Sequence, residues 1–161
     1  MNFSSLLYTM ETINVHIEAK EIIWKSLDDI RKQLPDSNTL RIRMVTPTAF
    51  KSNGEYICMP ELRYIYQSLI NKYNAVCGID NLDSSELIEK LADSTHIIKY
   101  DIHSEPFPLE KRRINGCIGD MLIRINADED IEQLAKYLLK IGEFSGIGIK
   151  CSIGMGAVRI L

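Results

Sequence analysis

The 161-residue chain contains no apolar stretch that approaches the ~20 residues needed to cross a bilayer. Its first ten residues have neither a basic start nor a long apolar run, so no secretory leader is read there. A cytoplasmic protein with no membrane partner is expected. Cysteine pairs are also missing. Cys58, Cys77, Cys117 and Cys151 form no C-x-x-C unit, and no histidine stands at ligand spacing from any of them. A zinc site wants such pairs, so four reduced, mostly buried thiols are expected and no metal or cofactor is required. His16, His96 and His103 are scattered and read as structural side chains. An excess of positive charge is lacking too. Lys plus Arg is 19 against 22 Asp plus Glu, a net charge of −3, which excludes a strongly basic nucleic-acid binder on the global count.

The composition that remains, 45% hydrophobic and 25% charged, is that of a globular domain able to bury a core without staples. The charge is segregated. Residues 37–54 carry Arg41, Arg43 and Lys51 with no acid, and residues 144–161 carry Lys150 and Arg159 with no acid. Acids gather at 80–93 and 128–132 instead. Local fields follow local charge, so two acid-free segments can still form one positive face.

Periodicity divides the chain at about residue 37. In the leading segment Ile13, Val15 and Ile17 alternate like a strand, and Trp24, Leu27, Ile30 and Leu34 recur at helical spacing. The turn cluster 35–38 ends that helix. Leu40, Ile42 and Met44 then alternate with Arg41, Arg43 and Val45, which predicts a strand with one polar face. A loop is expected over 46–59, with Thr hydroxyls bonding backbone and Phe50 in the core. Leu62, Ile65, Tyr66, Leu69, Ile70 and Tyr73 predict an amphipathic helix after Pro60. Asp83 and Glu86 have capping-box spacing before a short helix with Leu87, Ile88 and Leu91. A strand over 96–104 is expected to break at Pro106 and Pro108. Lys111, Arg112 and Arg113 read as a solvated loop, and a strand over 117–125 follows. Acids 128–130 open a further helix with Ile131, Leu134, Ala135, Leu138 and Ile141 as its apolar stripe. Lys136 and Lys140 are expected to load its far end. A last strand covers 157–161.

From residue 39 the order is β-α-β-β-α-β with one extra helix. It predicts an α+β, ferredoxin-like antiparallel sheet with helices on one face over 37–161. In that arrangement the last strand runs antiparallel beside the first. The two acid-free segments should therefore meet at one edge, which gathers Arg41, Arg43, Lys51, Lys150 and Arg159.

Residues 146–156 form the densest motif, with Gly146, Gly148, Gly154 and Gly156 around Lys150 and Ser152. It lies after a helix and before a strand, with Cys at 151, so it is neither a dinucleotide fingerprint nor a Walker loop. Glycines admit another backbone closely, and free N–H groups of such a loop can cradle phosphates. On spacing alone a purely structural turn is an equal reading.

Taken together, these residues resemble the CRISPR repeat-cleaving endoribonucleases of the RAMP superfamily, the sixth Cas family. The carriers are G-x-G-x5-G-x-G at Gly146, Gly148, Gly154 and Gly156, and T-P-T-x-F-K at residues 46–51 before a long helix. The resemblance implies metal-independent cleavage of CRISPR repeat RNA to release guide RNAs. RNA-binding residues would be Gly146, Gly148, Lys150, Ser152, Gly154 and Gly156, with Arg41, Arg43, Lys51 and Arg159 on the adjoining edge. CRISPR repeat RNA is the implied partner, with other CRISPR effector subunits or a second copy of the chain as further ones. Members of that family carry two such domains, and their general acid/base histidine usually lies in the first. Residues 1–36 would be a remnant of that domain or a linker, and no histidine here sits in a matching motif. Two other readings stand beside this one. They are a non-catalytic RNA-binding or assembly subunit of the same fold, and a ferredoxin-like sensor whose loop takes a small anion.

Overall fold

The computed structural model describes residues 9–10, 13–14, 26–77, 85–109 and 112–161. A mixed α+β fold results, with helices packed against an antiparallel sheet. A small ladder joins β1 (Thr9–Met10) to β2 (Ile13–Asn14). The rest of the alternating stretch expected through Ile17, Trp24 and the capping box at Asp83 lie outside the described residues. Helix α1 (Leu27–Arg31) is shorter than its periodicity predicts. Ser26 caps it, accepting from the Asp29 N–H at 3.1 Å while the Asp29 carboxylate accepts from the Ser26 N–H at 3.0 Å.

The main sheet contains β3 (Thr39–Thr48), β6 (Thr95–Leu109), β7 (Arg112–Ile125) and β8 (Val158–Ile160), in the order β6-β7-β3-β8. Every pairing is antiparallel, and β8 lies beside β3 with Arg43 opposite Arg159, as expected. The period of two places Leu40, Ile42 and Met44 of β3 and Met121, Ile123 and Ile125 of β7 on the inner face. Against them pack α2 (Leu62–Cys77), α3 (Ser85–Asp93) and α4 (Glu129–Ser145), through Ile65, Tyr66, Leu69, Leu91, Ala135 and Leu138. Asp128 caps α4, accepting from the Ile131 N–H at 3.1 Å.

The structure departs from the sequence reading at four places. Arg112 and Arg113 are not in a solvated loop: β7 begins at Arg112, where the residues pair with Leu109 and Pro108 of β6, so the strand expected over 117–125 starts five residues earlier. Residues 46–59 are not one loop. Strand β3 continues to Thr48, and β4 (Phe50–Ser52) pairs with β5 (Glu55–Ile57) across Asn53 and Gly54, both at positive φ. Asn-Gly is the strongest short hairpin signal, and it stands in the sequence. Strand β6 also runs through Pro106 and Pro108, which face Asn115 and Arg113 of β7. The strand lies at the sheet edge, and two prolines two residues apart share one orientation. An edge has a side on which no ladder bond is owed. Finally, Lys136 does not load an exposed helix end. Its side chain is 2% exposed, with Nζ 2.7 Å from Glu132 and donating to the Asp36 carbonyl at 3.2 Å. Those partners satisfy a buried charge and tie the 35–38 turn to α4.

Tyr66 and Cys117 link the core to pH. The Thr95 hydroxyl donates to the Leu91 carbonyl at 2.9 Å, so the Tyr66 hydroxyl, 2.8 Å from Thr95 Oγ1, is the donor in that pair. Burial pushes Tyr66 from 10.0 up to about 12. Burial, and secondarily nearby Cys58, push Cys117 from 9.0 up to about 12. Both groups stay protonated in the fold at pH values where the unfolded chain releases those protons. The folded state then holds more protons, and stability falls as pH rises from about 9 toward 12. Urea titrations across that range are expected to show this decline. Tyr66→Phe is expected to cost about 1 kcal/mol at neutral pH, with a shallower alkaline decline than the parent.

Candidate nucleic-acid interface

The end of β3 explains the glycine loop. The β3–β7 register shifts between Met44 and Thr48, so the stretch holding Val45, Thr46 and Pro47 has no regular partner in β7. The chain after α4 takes over these backbone groups. Gly156 N–H donates to the Pro47 carbonyl at 3.1 Å, and Ile149 N–H donates to the Ala49 carbonyl at 2.9 Å. Val45 N–H donates to the Ala157 carbonyl at 2.8 Å, and the Thr46 hydroxyl accepts from Ala157 N–H at 2.9 Å. The two acid-free segments therefore do meet. Buried Ile147 and Met155 anchor the loop, and Phe50 is in the core as expected.

Helix α2 fixes the loop from the other side. Ser68 Oγ accepts from Gly148 N–H at 2.8 Å. Lys72 Nζ donates to the Gly146 carbonyl at 2.8 Å and lies 3.0 Å from Cys151 Sγ. The sequence reading missed Lys72 and Ser68 as site residues. Their signal was the polar stripe Gln67, Ser68, Asn71 and Lys72, which returns every four residues opposite the apolar face of α2.

The four glycines are not equivalent. At Gly148, φ is +86° and an added Cβ would collide with the Ala49 carbonyl oxygen. Gly146 and Gly156 are closed in the same way, by Cys151 and by the Ile147 carbonyl. Gly154 has φ +102° and open space around it. Most of the loop's N–H groups are spent on its own anchoring. Among the described residues those of Lys150, Cys151 and Ser152 have no acceptor, and they succeed one another at the apex. Lys150 turns the chain there in a left-handed conformation, φ 57° and ψ 27°. Lys150 and Ser152 are exposed.

The basic residues separate into two groups. Arg43 makes a two-point ion pair with Asp120 at 2.8 and 2.9 Å, and Arg41 lies 4.0 Å from the same carboxylate. The Arg43 hydrogen bond holds the Asp120 carboxyl below its usual range, and Asp120 in turn raises Arg43. Both arginines are on the outer face of β3, and exposed Arg159 faces Arg43 from β8. Lys51, Lys72 and Lys150 gather instead around the glycine loop and the β4–β5 hairpin. Among the described residues none of the three has a carboxylate within ion-pair distance. Lys51 lies 6.0 Å from the Tyr56 ring centroid. His96 and His103 are exposed on edge strand β6, away from this loop in the sheet order, and His16 is outside the described residues. Cys117 is buried, Cys58 and Cys151 are partly exposed, and all three are free thiols. Among the described residues no three His, Cys, Asp or Glu side chains cluster as metal ligands, and no helix is long and apolar enough to cross a membrane.

A glycine loop clasped to the first strand of an antiparallel α+β sheet, with unpaired lysines around it, sets the context for comparison. The family model of the CRISPR-associated endoribonuclease Cas6 matches residues 42–158. A Cas6 endoribonuclease of Mycobacterium tuberculosis is 36% identical over 126 residues, 78% of this chain and 40% of its own length. One from Streptococcus thermophilus is 28% identical over 144 residues, 89% of this chain and 59% of that protein. The fold also superposes on a Thermus thermophilus Cas6 with a TM-score of 0.73 at 24% identity, covering 85% of this chain and 58% of that one. The chain belongs to the Cas6 family, and it spans between two fifths and three fifths of the length of these relatives.

The closed and open glycines give opposite expectations. Gly148→Ala forces the loop off β3 and is expected to destabilise the fold by about 2 kcal/mol or more. Gly154→Ala meets no atom and should cost only its backbone strain, about 1 kcal/mol. Urea denaturation of the two variants beside the parent measures the difference.

Proposed function

We propose that this chain binds CRISPR repeat RNA at the glycine-loop end of its sheet, as the RNA-gripping part of a Cas6-type endoribonuclease. The observation that carries this is a single apex, in a chain of this family, bearing both unpaired lysines and free amides. Lys51, Lys72 and Lys150 are uncompensated there, and the N–H groups of Lys150, Cys151 and Ser152 lack acceptors. Phosphate oxygens want these two kinds of partner together. The strand order β6-β7-β3-β8, with helices in the β-α-β-β-α-β positions, supports a ferredoxin-like, RAMP-type unit over residues 37–161. Residues 1–36 are assigned to the remnant of a preceding domain or to a linker, whose helix α1 packs on α4.

The glycines Gly146, Gly148 and Gly156 act by letting the loop lie on β3, while Gly154 and Ser152 face the RNA. Lys51 and Lys150 are the primary phosphate contacts. Arg41, Arg43 and Arg159 extend the path along the sheet, weakened where Asp120 shares their charge. Repeat recognition in this reading rests on shape, phosphates and splayed bases.

Cleavage would follow when a 2′-OH attacks the adjacent phosphate in line. That step needs a base, an acid for the leaving 5′ oxygen and cations for the added charge. Lys150 and the apex amides suit the last of these roles. The general base is assigned outside the described residues, because His96 and His103 stand on the far edge strand. A non-catalytic RNA-binding subunit is the second reading, and the same observation favours it if the chain acts alone. A further solved relative is described as a partial Cas6-RT-Cas1–Cas2 complex, with a TM-score of 0.56 over 81% of this chain. Association with other CRISPR proteins is therefore included in the proposal.

Binding to labelled repeat RNA across a salt series tests the reading. Lys150→Ala is expected to reduce the slope of log affinity against log salt by about 0.7–0.9. Arg43→Ala, which leaves the Asp120 carboxylate only its 4.0 Å contact with Arg41, should weaken binding through added repulsion. Unchanged affinity and slope for Lys150→Ala would remove that residue from the site.

Incubation with repeat RNA in excess EDTA tests catalysis. The 161-residue chain is expected to give no 2′,3′-cyclic phosphate product at a useful rate. General acid–base help is typically worth ~10²–10⁴-fold, and among the described residues no histidine adjoins the loop. Specific cleavage that His16→Ala abolishes would instead make His16 the base.

A further inference from the structure

A cleft of about 260 Å³ opens beside the glycine loop, between the β4–β5 hairpin and the polar face of α2. Its wall carries Lys51, Tyr64, Gln67, Asn71, Lys72 and Gly148, and no acidic residue lines it. It falls below the roughly 300–1,000 Å³ of sites that enclose a drug-sized ligand, so it is sized for one base of a ligand that extends beyond it.

The chemistry of the wall is specific. Gln67 and Asn71 stand four residues apart on one face of α2, and both are exposed. Among the described residues neither side chain makes a hydrogen bond. Each amide offers a donor and an acceptor together, the pattern that the Watson–Crick edge of a base presents in complement. Tyr64 is stacked on Phe50, with centroids 5.9 Å apart and planes inclined by 27°, and supplies an ordered apolar side. Lys72 has three N–H donors and uses two of them, on one carbonyl and one thiol, which leaves one, and no ion pair is formed. Lys51 approaches from the hairpin. The cleft is continuous with the loop through Gly148 and Ile149.

We propose that this cleft holds a single unstacked nucleotide of the bound RNA, read at its base edge by Gln67 and Asn71 and held at its phosphate by Lys51 and Lys72. The proposal rests on the RNA-binding reading above and adds a sequence-reading position to it. A phosphate grip supplies affinity without sequence information, and amides on a rigid helix supply the discrimination. The same chemistry would take a free mononucleotide, so the test separates the two sources.

The probe is a CRISPR repeat RNA that the parent protein binds, prepared as a series in which each nucleotide in turn is replaced by an abasic one. With the parent protein, one abasic position is expected to weaken binding about 5–150-fold, the scale of one base contact. In the Gln67→Ala/Asn71→Ala variant that penalty should vanish, while the salt slope stays at the parent value because no phosphate contact is lost. Both residues are exposed and unbonded, so the variant should fold as the parent does, which circular dichroism checks. Calorimetry with the four nucleoside monophosphates forms the second arm, where only weak binding is expected. If the parent binds the RNA but the double variant retains the full abasic profile, the cleft takes no base and only this proposal fails. If the parent fails to bind repeat RNA at low salt, the RNA reading fails and this proposal with it. Tight mononucleotide binding that the double variant loses, with RNA binding unaffected, would assign the cleft to a free nucleotide and overturn the proposal.

Discussion

Two backbones lie in contact where the glycine loop meets the end of β3, and the arrangement of the site depends on that contact. The register shift between Met44 and Thr48 leaves the Pro47 carbonyl without a regular strand partner, and the Ala49 carbonyl falls in the gap between β3 and β4. An unpaired carbonyl at such a place carries a free-energy penalty, and the loop after α4 removes it with the N–H groups of Gly156 and Ile149. The approach is too close for a side chain at Gly148, so the glycine follows from the hydrogen bonds. Ser68 and Lys72 of α2 then lock the loop on its second side. The apex at Lys150 is held by a scaffold made largely of backbone, and its own three free amides are left over because the flanking ones are used.

Charge on this protein is decided by pairing rather than by totals. A net charge of −3 coexists with a loop end where three ammonium groups face no carboxylate among the described residues. The outer face of β3 has the higher density of arginine, yet Asp120 arrives from β7 and takes both Arg41 and Arg43. Exposed ion pairs of this sort add little stability, but they redistribute the surface potential. Asp120 offsets part of the positive charge on the sheet face, whereas Lys51, Lys72 and Lys150 near the hairpin and the loop have no such partner among the described residues. The cleft along α2 lies in that region, which connects nonspecific phosphate attraction to side chains able to tell bases apart.

Two buried polar side chains, Lys136 and Tyr66, reach partners distant in the chain. Lys136 reaches the backbone of Asp36 across 100 residues of chain, and Tyr66 donates to Thr95, which donates to Leu91. Each joins a helix to a segment distant in sequence. Removing one partner would leave a polar group in a place with little water, where the penalty is greater than the net value of the bond.

Periodicity alone determined β3, α2 and α4, because each element buries one face and the spacing of apolar residues records which face. It also determined that the acid-free segments would adjoin, since the element order leaves the last strand beside the first. The spacing of Gly146, Gly148, Gly154 and Gly156 and the string at 46–51 were enough to indicate the family. The β4–β5 hairpin was legible in Asn53-Gly54, though short strands without a long apolar alternation gave it little support. Other features needed the tertiary structure. Pro106 and Pro108 are compatible with a strand only because β6 is an edge, and edge position is a property of the sheet. Asp120 and Arg43 are 77 residues apart, so their pairing leaves no local trace. Gly148 and Gly154 look alike in the motif, and only the Ala49 carbonyl beside one and open space beside the other distinguish them. Local spacing encodes which face of an element is buried, whereas which charge is neutralised and which glycine is indispensable depend on neighbours that folding brings in from elsewhere in the chain.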